Sequence, residues 1–331
     1  SHLKKKFNLF ISSDLRGLKY TDSKEKNFFV IDTPNIFSDY ILIPIKLIAI
    51  LILTIKSIFF LINKKIDIIL STGGYAPVPL CLAGIFLGKK LYVYEPNQVL
   101  GKSNKFFLFF CYKIFCHSKS IKNYPNKFKK KFLLLSPLVR KFFYNDIKKK
   151  DKRFTLMIIG GSQGAKVFDK FLHEILFKIS DKIKLKVYHQ TKINNIKLLK
   201  KFYNKNNISH KVFNFDINFI DMIKNCDFCI TRAGASTLSE LFILKIPFLA
   251  IPLPNSKDNH QFENAKYYKD LNCSWLFNEK QMSENRLHKL LKKIILDKKN
   301  LKKKRESIIK LNKNISWFNQ NKIIIRALNE S

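Results

Sequence analysis

Residues 230–265 read ITRAGASTLSELFILKIPFLAIPLPNSKDNHQFENA, and the order of elements in this stretch decides the fold. It is entered through a short apolar run, residues 227–231, of strand character. A small-residue turn, Arg232-Ala233-Gly234-Ala235, follows, and then a helical pattern carrying Ser239 and Glu240. A second apolar run spans 247–252. The polar end of the stretch holds Asp258, Asn259, His260, Gln261 and Asn264. Strand, loop, helix, strand and polar helix start are the succession found in a parallel α/β sheet. Such sheets bind ligands outside the carboxyl ends of their strands, and the chemically useful residues here fall at those ends.

The same alternation extends in both directions. Upstream, residues 154–159 read as a strand, followed by Gly160-Gly161-Ser162-Gln163-Gly164-Ala165 and a helix over 166–179. A glycine loop between strand and helix can cradle an anion, because exposed N–H groups and the helix dipole face it. The loop lacks the Lys-Ser/Thr of a P-loop and does not meet G-x-G-x-x-G, which argues against triphosphate hydrolysis. Strands over 185–190 and 211–215 and a helix near 194–203 continue the pattern. After residue 265 come lysine-rich helices, the last over about 315–329. In the first half, strands are expected over 7–12, 28–31, 66–70, 91–94 and 132–135. The strand at 66–70 runs into a second glycine turn, Gly73-Gly74, and a helix over 78–87. Glu95 and Asn97 close the strand at 91–94, where a carboxylate and an amide suit sugar hydroxyls or helix capping alike. The lysine-rich segment 141–152 reads as the linker between halves. Each half therefore carries a strand–Gly-Gly–helix unit, and the expected fold is two Rossmann-like, doubly wound α/β domains facing a cleft.

Composition narrows the class. The formal charge is +38, from 62 Lys and Arg against 24 Asp and Glu, which implies attraction to polyanions. No nucleic-acid-binding motif accompanies the lysines, so an anionic membrane surface or a phosphorylated substrate is the expected partner rather than nucleic acid. Residues 41–62 (ILIPIKLIAILILTIKSIFFLI) are long enough to span a bilayer. Pro44, Lys46, Lys56 and the strand pattern resuming at 66–70 favour instead a helix packed on a sheet. Its outer apolar face, with Ile45, Ile48, Ile52 and Phe59, would dip into a membrane surface. Cys226 and Cys229 form one CxxC; zinc would need a second ligand pair, so buried thiols in a reducing compartment are expected. No signal peptide is read at the start.

The motifs TGGYAPVP (72–79), YEPNQVLGKSNK (94–105), GGSQGA (160–165), HQT (189–191), TRAGASTLSE (231–240) and PLPNSKDNHQFENA (252–265), in this order over nearly the whole chain, resemble the MurG family. That family comprises membrane-associated transferases that move N-acetylglucosamine from its UDP ester to undecaprenyl-diphosphate-linked muramyl-pentapeptide, making lipid II for peptidoglycan. The resemblance implies a GT-B fold, with a membrane-facing acceptor domain over 1–138, a UDP-GlcNAc-binding domain over 139–314, and a final helix (about 315–331) packing back on the first. It puts Glu240 on the ribose, Phe215 and the Asp216 backbone on the uracil, and Ser162 and its loop neighbours, with Arg140, on the diphosphate. His260 and Gln261 would hold the sugar hydroxyls, with Asn97 reaching from the first domain. Arg232 and Asn264 would support the site, together with Gly73, Gly74, Gly160, Gly161 and Gly164.

The resemblance also implies no obligatory cofactor, with at most stimulation by a divalent cation such as magnesium, and a peripheral position on the cytoplasmic side of the inner membrane. The family opens with a GGTGGH loop that carries the usual candidate base. This sequence begins after it, so the base is expected upstream of Ser1 and no catalytic residue is assigned. The spacing from Pro137 to Arg140 is one residue longer than the family's. Two other readings stay open: a different GT-B glycolipid transferase, and a basic non-catalytic binder of membranes or nucleic acid.

Overall fold

Strand β7 (Phe154–Ile159) shows why the second half folds as it does. Its side chains are apolar almost without interruption, and they alternate between two cores. Leu156 and Ile158 join one cluster, while Met157 and Ile159 join another on the opposite face. A strand buried on both faces needs this continuous apolar run. The computed structural model describes residues 3, 6–18, 27–35, 40–145, 152–161, 166–216 and 219–330. The chain forms two units, residues 1–136 with 316–331, and residues 137–315.

In the C-terminal unit β7 is joined by β8 (Leu185–Gln190), β9 (Ser209–Phe213), β10 (Phe228–Thr231), β11 (Phe248–Ala250) and β12 (Ser274–Leu276). All neighbours pair in parallel, in the order β12-β11-β10-β7-β8-β9. Successive strands leave β7 in one direction as far as β9. The chain then returns to the other side of β7 with β10. The order therefore reverses between β7 and β10, which makes this the topological switch point, where doubly wound sheets take their ligands.

The N-terminal unit has a four-stranded parallel sheet, β3 (Ile68–Ser71), β4 (Lys90–Glu95), β5 (Lys113–Cys116) and β6 (Phe132–Leu134), in sequence order. A separate parallel pair is formed by β1 (Ile11–Ser13) and β2 (Phe28–Val30). Besides the short α1 (Leu15–Leu18), the unit holds α2 (Ile43–Asn63), α3 (Val78–Phe86) and α4 (Lys102–Phe107). The final helix, Trp317–Asn329, belongs to this unit: Ala327 O accepts from Tyr92 Oη at 3.0 Å, and Gln320 Oε1 accepts from Ser136 N at 2.9 Å.

Helix α2 buries only a narrow stripe, Lys46, Ile50, Ser57 and Leu61. Along it the Thr54 and Ser57 hydroxyls donate to the carbonyls of Ile50 and Leu53 at 2.8 and 2.7 Å. Pro44 sits in the first turn, where its missing N–H has no partner to lose, so it starts the helix rather than breaking it. The helix is long and apolar enough to cross a membrane by length and composition. Its Phe60 ring stacks on Phe29 of β2 at 4.0 Å.

Several local expectations need correcting. The division falls at 136/137, ahead of the lysine-rich segment. Residues Lys141–Tyr144 of that segment form a 3-10 turn whose Phe143 is buried in the C-terminal core; residues 146–151 lie outside the described residues. Strand β9 ends at Phe213 rather than 215, and β11 is shorter than expected at both ends. Strands β5 and β12 were not anticipated.

Candidate functional site

The switch point is assembled by strand pairing. In the register of β7 and β10, Ile159 stands opposite Thr231, so the two strands end level. Their loops then run side by side, with Arg232 N donating to Ile159 O at 3.3 Å. One loop begins Gly160-Gly161, and Gly161 has φ +77°, with no atom of the described residues beyond its chain neighbours within 4 Å of where a Cβ would stand. Such a left-handed position beside open space lets backbone N–H groups turn toward a ligand. Ser162 and Gly164, expected on the diphosphate, lie outside the described residues. The helix that follows is α5 (Lys166–Ser180).

The second loop, 232–234, leads into α8 (Ala235–Ile243) with Gly234 as N-cap and no side chain capping its first N–H groups, which leaves them available to an acceptor. The α6 and α7 helices between are Ile193–Lys205 and Phe219–Lys224. Arg232 is committed within the unit. It pairs with Glu279 and donates to the carbonyls of Ile251 and Pro252 at 3.2 and 3.5 Å. Its guanidinium lies 4.9 Å from the Phe168 ring centroid. Arg232 therefore clamps the loop after β10 to the loop after β11.

Glu240, on α8, is the carboxylate of this site. It is half-buried, and its side chain makes no hydrogen bond among the described residues. Burial pushes its carboxyl up to about 7, opposed only in part by the charge of Arg140. A desolvated carboxyl with idle lone pairs is prepared to accept from hydroxyl donors. Arg140 itself is exposed and lies over the rings of Phe142 and Phe143, at 4.7 and 5.7 Å.

Phe215 leaves β9 two residues past its end and is 81% exposed, an unusual cost for a phenyl ring unless something stacks on it. Its loop is held by the HQT motif. Asn214 Nδ2 donates to Thr191 O at 3.0 Å, and Thr191 N donates to Phe213 O at 2.8 Å. Beneath, the Thr191 hydroxyl and Asn195 Nδ2 each donate to Asp169 Oδ2 at 2.7 Å. His189 Nε2 lies 3.2 Å from Asp169 Oδ1, and its Nδ1 lies 3.0 Å from the Tyr203 hydroxyl. Burial pushes His189 below its ordinary value despite Asp169. Burial works to raise Asp169, but the bonds from His189, Thr191 and Asn195 together hold it below its ordinary value. A neutral imidazole accepts from the Tyr203 hydroxyl at Nδ1 and turns Nε2 toward the Asp169 carboxylate. Asp169 sits in the first turn of α5, so this buried network ties the start of the helix after the glycine loop to the Phe215 loop. Asp216 pairs with Lys211 at 2.6 Å.

On the far side of the switch point, Asp258 and Asn259 take left-handed backbone angles and launch α9 (His260–Asp270). His260 Nδ1 donates to Lys257 O at 2.5 Å, leaving Nε2 as an acceptor. Gln261 Oε1 accepts from Leu253 N at 2.9 Å, which leaves its amide N–H groups to donate. Asn264 is buried and donates to Ala233 O at 3.2 Å, bracing the 232–234 loop from below.

The N-terminal unit has its own loop cluster at strand ends. Gly73 and Gly74 follow β3 with φ of +81° and +83°. A Cβ on Gly73 would meet the Asn104 amide at 2.8 Å, so no other residue fits. Glu95, 1% exposed at the end of β4, organises this cluster. It accepts from Asn97 N and Nδ2, both at 3.0 Å, from Gly101 N at 2.9 Å, and from Asn104 Nδ2 at 2.8 Å. Asn97 is thus held by Glu95. Sequence reasoning noted Glu95 without giving it this part, and it missed Asp169, Asn195 and Glu279. The Asp169 position in a helical first turn looks like an ordinary dipole partner until β8 and α6 are brought beside it.

Two parallel-sheet α/β units, one with a glycine loop at its switch point, a lone carboxyl on the helix after β10 and an exposed aromatic beyond the edge strand β9, fit the nucleotide-sugar glycosyltransferase class of GT-B fold. Residues 155–316 match the glycosyltransferase family 28 C-terminal domain, and residues 40–116 match its N-terminal domain. A UDP-N-acetylglucosamine–N-acetylmuramyl-(pentapeptide) pyrophosphoryl-undecaprenol N-acetylglucosamine transferase from Pelagibacter ubique (strain HTCC1062) is 43% identical over 332 residues, covering 100% of this chain and 93% of the relative. The transferase of the same name from Rickettsia canadensis (strain McKiel) is 33% identical, over 94% of this chain and 89% of the relative. The crystal structure of Acinetobacter baumannii MurG superposes with a TM-score of 0.76 at 20% identity, over 99% of this chain and 93% of that one, a likeness of fold. The chain belongs to the MurG family of family 28 glycosyltransferases.

Proposed function

We propose that the chain transfers N-acetylglucosamine from UDP-N-acetylglucosamine to the C4 hydroxyl of the undecaprenyl-diphosphate-linked muramyl-pentapeptide, converting lipid I to lipid II. The observation that carries this reading is the full-length match, at 43% identity, to a transferase with that name. The acceptor oxygen attacks the anomeric carbon while the bond from that carbon to the diphosphate oxygen breaks. UDP leaves with the electron pair, the hydroxyl proton passes to a base, and the anomeric configuration inverts. In this reading Glu240 accepts from the ribose hydroxyls and the Phe215 ring stacks on uracil, with the Asp216 backbone beside it. The glycine loop, the start of α5 and Arg140 take the growing charge of the diphosphate without an obligatory metal. His260 Nε2 and the Gln261 amide offer one acceptor and a donor group to the sugar, a pairing matched to neighbouring hydroxyls.

A donor panel tests the site. Calorimetric titration is expected to rank UDP-N-acetylglucosamine above UDP-glucose and UDP-galactose by about tenfold or more, the size of one or two unmatched polar contacts. A preference for UDP-glucose or UDP-galactose would assign the chain to another glycolipid transferase.

The same reading places the chain peripherally on the cytoplasmic face of the inner membrane, through the outer face of α2. Ile45, Ile48, Ile52 and Phe59 are all exposed there, on a chain of charge +38. A contiguous apolar face beside lysines suits an anionic bilayer surface. The double substitution Ile48→Gln, Phe59→Gln is expected to lower partitioning onto phosphatidylglycerol vesicles by about tenfold or more, since each large side chain contributes roughly 1.5–3 kcal/mol on burial. Flotation at unchanged yield would contradict this face.

A further inference from the structure

The donor site occupies the carboxyl ends of the C-terminal strands. The amino end of the same sheet carries two adjoining cavities, of about 400 and about 270 Å³, which share Asp227 and Arg305. The larger is walled on the sheet side by Lys152 and Lys184, beside the first residues of β7 and β8. Its other wall is one stripe of a helix. After α10 (Glu284–Leu296), α11 (Lys298–Asn312) presents Lys298, Leu301, Lys302 and Arg305 to the cavity. These are spaced i, i+3, i+4 and i+7, on a single helical face. Lys224 and Lys245 line the smaller cavity.

The charge here is only partly balanced: Lys302 Nζ lies 3.8 Å from Glu306 Oε1 in an exposed pair on the same helix, and among the described residues the other cations of the linings face little opposite charge. Asp227 is the one carboxylate in either lining among the described residues. Its Oδ2 already accepts from Thr155 N at 2.8 Å. Arg305 is half-buried and donates to the backbone carbonyl of Asp227 at 3.2 Å. It has no carboxylate partner among the described residues. A guanidinium kept partly out of water, in a concave wall of like charges, focuses positive potential into the cavity. Its planar fork matches phosphate oxygens two at a time. A row of three cations over two turns of helix, Lys298, Lys302 and Arg305, suits several linked anionic groups better than one. A volume of about 400 Å³ is within the range of small-ligand sites.

We propose that this basic cavity at the amino edge of the C-terminal sheet is a second anion site, which takes a diphosphate or longer polyphosphate group, free or carried on a lipid. It is separate from the donor site and does not depend on what that site binds.

A chain of charge +38 attracts any polyanion, so the experiment separates the site from the general field. The full chain is titrated with inorganic tripolyphosphate, with UDP present in excess to fill the donor site, at about 150 mM salt, where the screening length is about 8 Å. Three variants are compared with the parent: Arg305→Gln; Lys184→Glu with Lys298→Glu; and, as a control of equal charge change on the exposed lysines of α6, Lys200→Glu with Lys201→Glu. The parent is expected to show one saturable site. Both cavity variants should bind about tenfold or more weakly, the loss of one or two charge-assisted bonds, while the control stays within about twofold. UDP titration of each variant, unchanged from the parent, shows that it folds. Geranyl diphosphate binding tenfold tighter than pyrophosphate assigns the site to a lipid-borne group; equal binding assigns it to a free one. Absence of a saturable site in the parent, or equal weakening in cavity and control variants, overturns the proposal.

Discussion

Replacing Glu240 by glutamine is expected to weaken UDP-N-acetylglucosamine binding by about 30-fold or more. Two ribose hydroxyls donating to one carboxylate are charge-assisted bonds of about 1.5–3 kcal/mol each, and a neutral amide retains part of one. The carboxyl is pushed up to about 7 by burial, against only partial relief from Arg140, so the effect depends on pH. At pH 8 about nine-tenths of the group is ionised and at pH 6 about one-tenth, so parent affinity should fall about tenfold between them, while the glutamine variant stays flat. Stability should change in the opposite sense. The folded protein holds this proton more tightly than the unfolded chain, whose ordinary value is 4.5. Ionised Glu240 therefore opposes folding above about pH 7, and that opposition is gone below about pH 4.5. Glu240→Gln should accordingly stabilise the free protein at pH 8 and match the parent near pH 4. Urea unfolding at the two pH values, alongside calorimetry with UDP-N-acetylglucosamine, measures both. A variant equal to the parent in affinity at pH 8 would remove Glu240 from the donor site.

The second large effect is expected from Glu95→Ala. Glu95 is buried and receives four N–H donors from Asn97, Gly101 and Asn104. Truncation leaves all four without their acceptor, one in a buried and three in a part-buried position, at a cost of about 3–5 kcal/mol. The loop that carries Asn97 and the start of α4 would lose their anchor together. Glu95→Gln keeps one acceptor oxygen but turns an NH₂ toward other donors, and about 1–3 kcal/mol is expected. Denaturant unfolding should show these losses. UDP affinity should be preserved, because Glu95 and the Glu240 site belong to different units. A Glu95→Ala protein as stable as the parent would show that the cluster at the end of β4 is not held by this carboxylate.

The legible parts of the fold were those where one residue pattern answers one question. β7 and β10 are short, apolar and bounded by glycine or polar residues, so their strand character follows from burial on both faces. β5 was hidden because Lys113–Cys116 follows a phenylalanine-rich stretch, residues 106–112, without turn punctuation. Three-residue β12 has too little length to show a period. The linker was misplaced for a related reason: lysines at 141 and 148–150 suggest solvent, yet Phe142 and Phe143 between them pack into a core. In the site, Glu240, Phe215, His260 and Gln261 could be named through the resemblance to the MurG family. The bracing residues could not. Asp169, His189 and Asn195 come together only when α5, β8 and α6 meet, and Arg232 meets Glu279 across 47 residues. Contacts of that separation leave no local signature.

The central claim is that this chain carries the sugar from UDP to a lipid-linked muramyl acceptor. Its most direct test is to incubate the chain with UDP-N-[¹⁴C]acetylglucosamine and a short-chain lipid I analogue, and to resolve the products by chromatography. The account predicts a labelled disaccharide lipid, one UDP released per sugar transferred, and loss of most of this turnover in Glu240→Ala at limiting donor. UDP release that does not depend on the acceptor, or label passed to a simple glycolipid in preference to lipid I, would contradict it.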